Sequence, residues 1–144
     1  MKRKTKAADF VLDGSITLAW FFEDESDAYA DAVEDALVKA SAVVPALWHL
    51  EVANALLVGE RRKRTTEAKV TQFVALLQSL PISVDDATIA QAWSDTLHLA
   101  RGQNLSAYDA AYLELALRRG LPIATLDDRL KAAAAAVGVT LYKP

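Results

Sequence analysis

One stretch of the sequence sets a carboxylate among apolar side chains in a predicted helix, Leu105-Ser106-Ala107-Tyr108-Asp109-Ala110-Ala111-Tyr112-Leu113-Glu114-Leu115-Ala116. Ser106 is a typical N-cap residue, and Gly120 is a typical residue for the end of the helix. On helical spacing Asp109 shares a face with Tyr112, so its carboxylate points where the buried side chains point. Burying an ionised carboxylate is costly unless hydrogen bonds or a cation compensate it. The alternative is a capping box, in which Asp109 only satisfies a backbone N–H at the helix start.

Length and composition favour a single domain over residues 1–144. The 144 residues are 53% apolar and 24% charged, which is typical of a globular protein. No apolar run reaches the ~20 residues of a membrane span, and the basic start, 1–8, is expected to be a flexible tail without a signal-peptide core. The absence of cysteine excludes disulfides, thiolate metal sites and cysteine nucleophiles. The net charge of −3 argues against coating nucleic acid by charge alone, and the expected location is cytoplasmic.

Short apolar runs alternate with helical patterns along the chain. We predict strands at 9–13, 42–44, 82–84, 122–125 and 139–142. The predicted helices span 16–22, 27–40 with Ser26 as the cap, 46–62, 65–80 or 66–80, a segment capped by Asp85 or Asp86 that ends near 100, 107–119 and 127–136. A loop is predicted at 101–104. This alternation implies right-handed crossovers and a parallel sheet covered on both faces, with ligands beyond the carboxyl ends of the strands.

Three further acids fall near the predicted ligand-binding edge. Asp13 ends the first strand, although it could merely cap the next helix. Glu51 lies on a helix where spacing groups it with apolar residues and Asn54, which predicts a buried polar site; the alternative is a helix rotated so that both see water. At 125–128 a capping box would use Asp128, which leaves Asp127 free for another task. Four acids converging on one edge of a sheet favour a functional site there.

Carboxylate oxygens without cysteine or a histidine cluster suit Mg²⁺ or Mn²⁺. Such a cation holds phosphate oxygens, lowers the pKa of a bound water and neutralises charge on the leaving oxygen. A metal-free ribonuclease would instead need a paired acid and base, commonly histidines. His49 and His98 are interpreted as ordinary helix residues. The acids therefore predict a hard-cation site.

Four motifs resemble those of PIN-domain ribonucleases, most closely the VapC-type toxins of bacterial toxin–antitoxin pairs. The matching segments are Phe10-Val11-Leu12-Asp13-Gly14-Ser15, Leu50-Glu51-Val52-Ala53-Asn54-Ala55-Leu56, Ser106-Ala107-Tyr108-Asp109-Ala110-Ala111-Tyr112 and Thr125-Leu126-Asp127. Order and spacing match over nearly the whole chain. Asp128 adds an acid that the family pattern lacks and that could replace Asp127 as the outer ligand.

The resemblance implies a three-layer α/β/α PIN-like domain around a mostly parallel five-stranded sheet. It implies a metal-dependent endoribonuclease that acts on RNA as the toxin of a type II pair, a homodimer, and an antitoxin that obstructs the acidic site. We assign Asp13 and Asp109 as the closest ligands of Mg²⁺ or Mn²⁺, with Glu51 and Asp127 holding metal-bound waters or a second ion. The predicted supporting donors around these ligands are Ser15, Asn54, Ser106 and Thr125.

Two other segments have competing interpretations. The basic run Arg61-Arg62-Lys63-Arg64 either grips the RNA backbone or is a solvated helix end. The aromatic run Trp20-Phe21-Phe22 is either plain core or partly lines a groove for a partner or a dimer contact.

Two other functions compete with the toxin. The first is a PIN nuclease that processes RNA without any antitoxin. The second is a Mg²⁺-binding receiver module that signals by aspartyl phosphorylation, for which Asp85 is the candidate acceptor. The receiver would leave Glu51 and Asp109 unused.

Overall fold

The computed structural model describes residues 7–144 and has four strands and eight α-helices in that part of the chain. The strands are β1 (Phe10–Leu12), β2 (Ala42–Pro45), β3 (Ile82–Asp85) and β4 (Ile123–Ala124). The helices are α1 (Gly14–Phe21), α2 (Ala28–Ala36), α3 (Leu47–Arg61), α4 (Glu67–Ser79), α5 (Thr88–Gln91), α6 (Leu97–Gln103), α7 (Ala107–Arg119) and α8 (Asp128–Ala136). A 3₁₀ turn, Glu23–Glu25, follows α1, and a π-helical turn, Ala92–Thr96, joins α5 to α6.

The sheet has the strand order β3-β2-β1-β4, and all its described pairings are parallel. The fifth strand predicted at 139–142 is wrong, because only an isolated bridge joins Leu141 to Ile123. Strand β4 has only two residues, which limits the backbone available for pairing with a fifth strand. Its chain turns away at Thr125, whose hydroxyl bonds to Asp13. The segment at 139–142 still makes two backbone hydrogen bonds with β4, from the Ile123 N–H to the Thr140 carbonyl at 3.0 Å and from the Tyr142 N–H to the Ile123 carbonyl at 2.9 Å.

Helices cover both faces of the central strands. Every residue of β1 and β2 is buried, and successive strand side chains point to opposite faces, so both faces must be covered. Helix α1 packs on α2 and on α3, while α7 packs on β1 and β2 with α6 and α8 against it. In residues 7–144, no helix combines the length and the apolar character needed to cross a membrane.

Positions 1–6 of the predicted tail lie outside the described residues. The last two positions of that tail belong to the folded part. The Ala7 carbonyl accepts a 3.3 Å hydrogen bond from Ser41 Oγ, and Ala8 packs against the core.

Some helix boundaries differ from the prediction for local reasons. The cap of α2 is Asp27 rather than Ser26, since the Asp27 carboxylate accepts from the backbone N–H groups of Tyr29 and Ala30 at 2.7 and 3.2 Å. The helix also ends at Ala36, four residues early. The loop predicted at 101–104 is instead the last turn of α6, which ends where Asn104 adopts a left-handed conformation at φ 53°.

Candidate active site

Asp13 stands at the carboxyl end of β1 with only 7% of its surface exposed. Ser15 Oγ and Thr125 Oγ1 both donate to its Oδ2, at 2.6 and 2.8 Å. Burial raises the pKa of Asp13 above its usual value, while the two hydroxyl hydrogen bonds act in the opposite direction. The carboxylate is therefore held in one orientation by donors from two separate strand ends.

The same two hydroxyls tie the end of β4 to the end of β1. Ser15 Oγ accepts from the Leu126 N–H at 3.0 Å, and Thr125 Oγ1 accepts from the Asp127 N–H at 3.0 Å. Thr125 thus donates to one acid and fixes the backbone of another. The prediction that Ser15 and Thr125 support Asp13 matches these contacts.

Asp109 lies in the first turn of α7 and is half-buried. Ser106 caps this helix, since its Oγ accepts from the backbone N–H of Asp109 at 3.0 Å. Burial raises the pKa of the Asp109 carboxyl, and the charges of Asp13 and Asp127 raise it further, against a hydrogen bond with Ser106. The cap and the acid site therefore coexist. The backbone N–H of Asp109 donates to the capping hydroxyl, and its carboxylate interacts electrostatically with Asp13 and Asp127.

Glu51 reaches the site although its helix is rotated differently from the prediction. The buried face of α3 is formed by Trp48, Val52, Leu56 and Gly59. Glu51 and Asn54 are exposed, and Leu50 is 76% exposed, so the predicted apolar face around Glu51 is wrong. A 3.0 Å hydrogen bond from Trp48 Nε1 to the buried hydroxyl of Thr17 helps set this rotation. Asn54 makes no hydrogen bond to Glu51 in the described part of the chain.

Tyr112 connects Glu51 to the other acids. Its hydroxyl donates a 2.6 Å hydrogen bond to Glu51 Oε1. Desolvation raises the pKa of the Glu51 carboxyl, the Tyr112 hydrogen bond lowers it, and the charges of Asp13 and Asp109 raise it again. Tyr112 belongs to the third matching motif, and no role was predicted for it. Its position one helical turn after Asp109 was the feature of the sequence that could have indicated a place near the acids.

Asp127 is the N-cap of α8, so the possible capping box that starts at Thr125 and has Asp128 at its N3 position does not form. Asp127 Oδ1 accepts from the Leu130 N–H at 3.0 Å, and its charge still raises the pKa of Asp109. The predicted capping box fails because the Thr125 hydroxyl is already committed to Asp13. The side chain of Asp128 is 99% exposed and lies 3.9 Å from Lys131 Nζ, so Asp127 rather than Asp128 stands beside Asp109.

The four predicted acids thus form one electrostatically coupled group at the carboxyl edge of the sheet. Besides burial, the charge of Asp13 raises the pKa of both Glu51 and Asp109, and the charge of Asp109 raises that of Glu51, as happens when like charges approach in a poorly solvated place. Hard oxygen donors of this kind fit Mg²⁺ or Mn²⁺. Within residues 7–144, however, no three acids are close enough together to hold an ion as they stand.

The basic run divides into two parts. Arg64 is committed within the fold: its Nη2 lies 2.9 Å from Asp24 and 3.2 Å from Glu25, and its guanidinium stacks 4.1 Å from the Phe22 ring centroid. Arg61, Arg62 and Lys63 are exposed at the end of α3. In the described structure, the exposed side chains of Arg61, Arg62 and Lys63 make no ion pair or ring contact like those of Arg64.

The aromatic run belongs largely to the core but also borders a groove. Phe22 is buried, and Trp20 and Phe21 pack against the core. Phe21 contacts Phe73 of α4 at a ring-centroid distance of 4.8 Å. Beside this contact lies an open cavity of about 870 Å³, lined by Phe21, Phe22, Arg64, Lys69 and Phe73 among others. His49 and His98 are exposed residues on helices, away from the acids' hydrogen bonds.

A parallel α/β sheet with coupled acids beyond its carboxyl edge defines the class of this protein. Residues 10–136 match the model of the PIN domain, so the chain belongs to the PIN-domain family, whose members are nucleases. This confirms the PIN-domain resemblance and excludes the receiver module, whose candidate acceptor Asp85 is 2% exposed and bonded to Arg118 and Arg119.

Two solved structures are similar in fold. The first is PAE2754 from Pyrobaculum aerophilum, 23% identical, with a TM-score of 0.66 over 88% of this chain and 84% of that chain. The second is VapC20 from Mycobacterium tuberculosis, a toxin that cleaves the sarcin–ricin loop, 17% identical, with a TM-score of 0.62 over 94% of this chain and 100% of that chain. No curated protein matches the sequence.

Proposed function

We propose that the protein is a metal-dependent endoribonuclease and the toxin of a type II toxin–antitoxin pair. The observation that supports this most is the coupling of Asp13, Glu51 and Asp109 in a PIN-domain chain. Crowded carboxylates are harder to ionise, and a bound divalent cation would offset that unfavourable energy. Nucleases of this family generally use divalent metal ions.

Each acid has a proposed role. Asp13 and Asp109 would hold Mg²⁺ or Mn²⁺, with Glu51 and Asp127 acting through water or on a second ion. When bound, the cation supplies an activated water and neutralises charge on the phosphate. Ser15 and Thr125 keep the Asp13 carboxylate in one orientation through their hydrogen bonds to its Oδ2. Ser106 fixes the start of α7, and with it the backbone of Asp109.

RNA would be gripped by cations near the acids. Arg61, Arg62 and Lys63 are exposed on α3, the helix that also carries Glu51. At 1.5 Å per residue the run lies about 15–18 Å along the helix from Glu51, which is within a few nucleotides of the site. Arg129 is exposed in the first turn of α8, two residues from Asp127, and is a further candidate.

The toxin role rests on the likeness in fold to VapC20 and on the four motifs. It brings with it a cognate antitoxin, a homodimer and a cytoplasmic location, and the groove beside Phe21 and Phe73, lined by both aromatic and charged side chains, is a candidate surface for a partner. An RNA-processing nuclease without an antitoxin is the second candidate, because the acids would serve either purpose. A small DNA-binding protein encoded beside this chain and co-purifying with it distinguishes the toxin.

Cleavage of labelled RNA tests the activity. Purified protein should cut RNA in Mg²⁺ or Mn²⁺ and leave a 5′-phosphate, while EDTA and Asp109→Asn should abolish cutting. Cleavage that persists in EDTA, or a 2′,3′-cyclic phosphate product, would contradict the mechanism, since the ribose 2′-hydroxyl would then be the nucleophile.

A further inference from the structure

The contact between Tyr112 and Glu51 joins two elements that are far apart in sequence. Tyr112 is 0% exposed, and its hydroxyl reaches Glu51 Oε1 at 2.6 Å. A hydrogen bond of this length between a hydroxyl and a carboxylate is charge-assisted and among the stronger ones in proteins. A Cβ built on Gly14 would lie 3.9 Å from Tyr112 Oη, which places the hydroxyl beside the turn that follows Asp13.

The rotation of α3 explains why Glu51 needs a partner. Its helix buries Trp48, Val52 and Leu56, so Glu51 starts from a solvent-facing position. A glutamate side chain there has several rotamers available, most of which leave the other acids. The charges of Asp13 and Asp109 would also push it away. The Tyr112 hydroxyl is the one described donor that reaches Glu51, and it holds the carboxylate against that repulsion.

Packing alone does not account for the phenol. A phenylalanine ring would fill the same space, and it would remove a buried polar group that needs a partner. The hydroxyl is buried, and its one described partner is the Glu51 carboxylate. The hydroxyl is therefore positioned to act on Glu51.

We propose that Tyr112 is a positioning residue that pre-orients Glu51 for the divalent cation. This inference rests on the proposed function, because it needs a cation that Glu51 helps to hold. It assigns to α7 two tasks at one edge: Asp109 as a ligand and Tyr112, one turn later, as the support of a ligand on another helix. Groups that orient ligands in this way typically change metal affinity by roughly 10–100-fold when removed.

The test uses Tyr112→Phe, with Tyr29→Phe as the matched control. Tyr29 also donates a short hydrogen bond, 2.7 Å to the Tyr142 carbonyl, with no acid of the site involved. Mn²⁺ binding is measured by electron paramagnetic resonance of the free ion, beside thermal melts without metal and RNA cleavage. Tyr112→Phe should weaken Mn²⁺ binding at least about tenfold, with a folded apo protein, and Tyr29→Phe should bind as wild type does.

A double-mutant cycle shows whether Tyr112 acts through Glu51. In a Glu51→Gln background, Tyr112→Phe should have little further effect on Mn²⁺ binding, because the carboxylate it orients is gone. Wild-type-like Mn²⁺ affinity in Tyr112→Phe, or full additivity in the cycle, overturns the positioning role while the proposed function stands. A wild-type protein that binds no Mn²⁺ overturns both.

Discussion

Arg118 grips Asp85 with both ends of its guanidinium, Nη1 to Oδ1 at 3.0 Å and Nη2 to Oδ2 at 2.8 Å. Arg119 adds a contact of 2.9 Å to Oδ1, and Arg118 Nε also donates to Glu114 at 2.7 Å. Asp85 is 2% exposed and Glu114 4% exposed. This cluster fastens the last turn of α7 to the end of β3, at the opposite end of the helix from Asp109.

Loss of Arg118 should destabilise the fold. Arg118→Met leaves Glu114 and Asp85 buried with fewer charged donors, and we expect a loss of about 2 kcal/mol in the free energy of unfolding. Chemical denaturation measures it. The exposed Arg101 provides the control, since Arg101→Met should stay within about 0.5 kcal/mol of wild type. Equal stabilities for the two variants would show that the cluster adds nothing.

Stability should pass through a maximum as pH is lowered in the metal-free protein. The arginines hold the pKa of Asp85 at about 2, below its usual 3.8, so its contribution is present above pH ~4 and is lost as pH falls toward 2. Burial raises the pKa of Asp109 and Glu51, so the folded state takes up protons before the unfolded state does, and stability rises as pH falls through these raised pKa values.

Urea denaturation in EDTA at low salt, from pH 7 to 2.5, measures both limbs. Asp85→Asn should reduce the loss of unfolding free energy below pH ~4. Asp109→Asn should reduce the gain in unfolding free energy that comes before it as pH falls. A profile that falls steadily from pH 7 would mean that the acids do not repel one another in the folded protein.

Asp109→Asn and Ser106→Ala should separate the metal site from the helix cap. Asparagine keeps the backbone N–H that Ser106 caps and removes one like charge, so the apo protein should be as stable as wild type or more stable. Its stabilisation by Mn²⁺ should shrink, since a ligand stabilises only as far as it binds the folded state. Ser106→Ala should lose about 1 kcal/mol and keep the Mn²⁺ shift.

Thermal melts of both variants, with EDTA and with millimolar Mn²⁺, decide this. If Asp109→Asn were destabilised without metal and kept a full Mn²⁺ shift, Asp109 would be a capping residue only.

The basic run should contribute to RNA affinity through three of its four residues. Replacing Arg61, Arg62 and Lys63 by Gln should weaken binding and reduce the slope of log affinity against log salt by about 2, at 0.7 per phosphate contact. Arg64→Gln serves as the comparison, because Arg64 is already paired with Asp24 and Glu25. This variant should leave the slope of log affinity against log salt unchanged. Fluorescence anisotropy with a short RNA measures both; an unchanged slope in the triple variant removes the run from the interface.

Local signals in the sequence predicted much of the site. Strand ends, caps and helix breakers act over a few residues, so the position of Asp13, the Ser106 cap and the end of α7 at Gly120, with φ 65°, were all available from the sequence. The rotation of α3 was not. Apolar residues lie on several sides of that helix, and the Trp48–Thr17 hydrogen bond that helps choose among them joins residues 31 apart.

The same distinction explains the two acids near α8. The residues at 125–128 allow a capping box from Thr125 to Asp128, but the Thr125 hydroxyl donates to Asp13 across the sheet, and Asp127 caps α8 instead. The missing fifth strand also follows from the brevity of β4 rather than from the residues at 139–142. Contacts between distant segments decided the rotation of α3 and the cap of α8, whereas the cap of α2 and the end of α6 depended on neighbouring residues.

Local opening of the backbone should differ between α7 and α4. The residues of α7 from Ala110 to Ala116 are all buried, whereas α4 buries only Phe73. Amide hydrogen exchange should therefore be slowest through the middle of α7 and fast along α4. Asp109 lies in the first turn of α7, so its backbone is joined directly to the segment expected to open last.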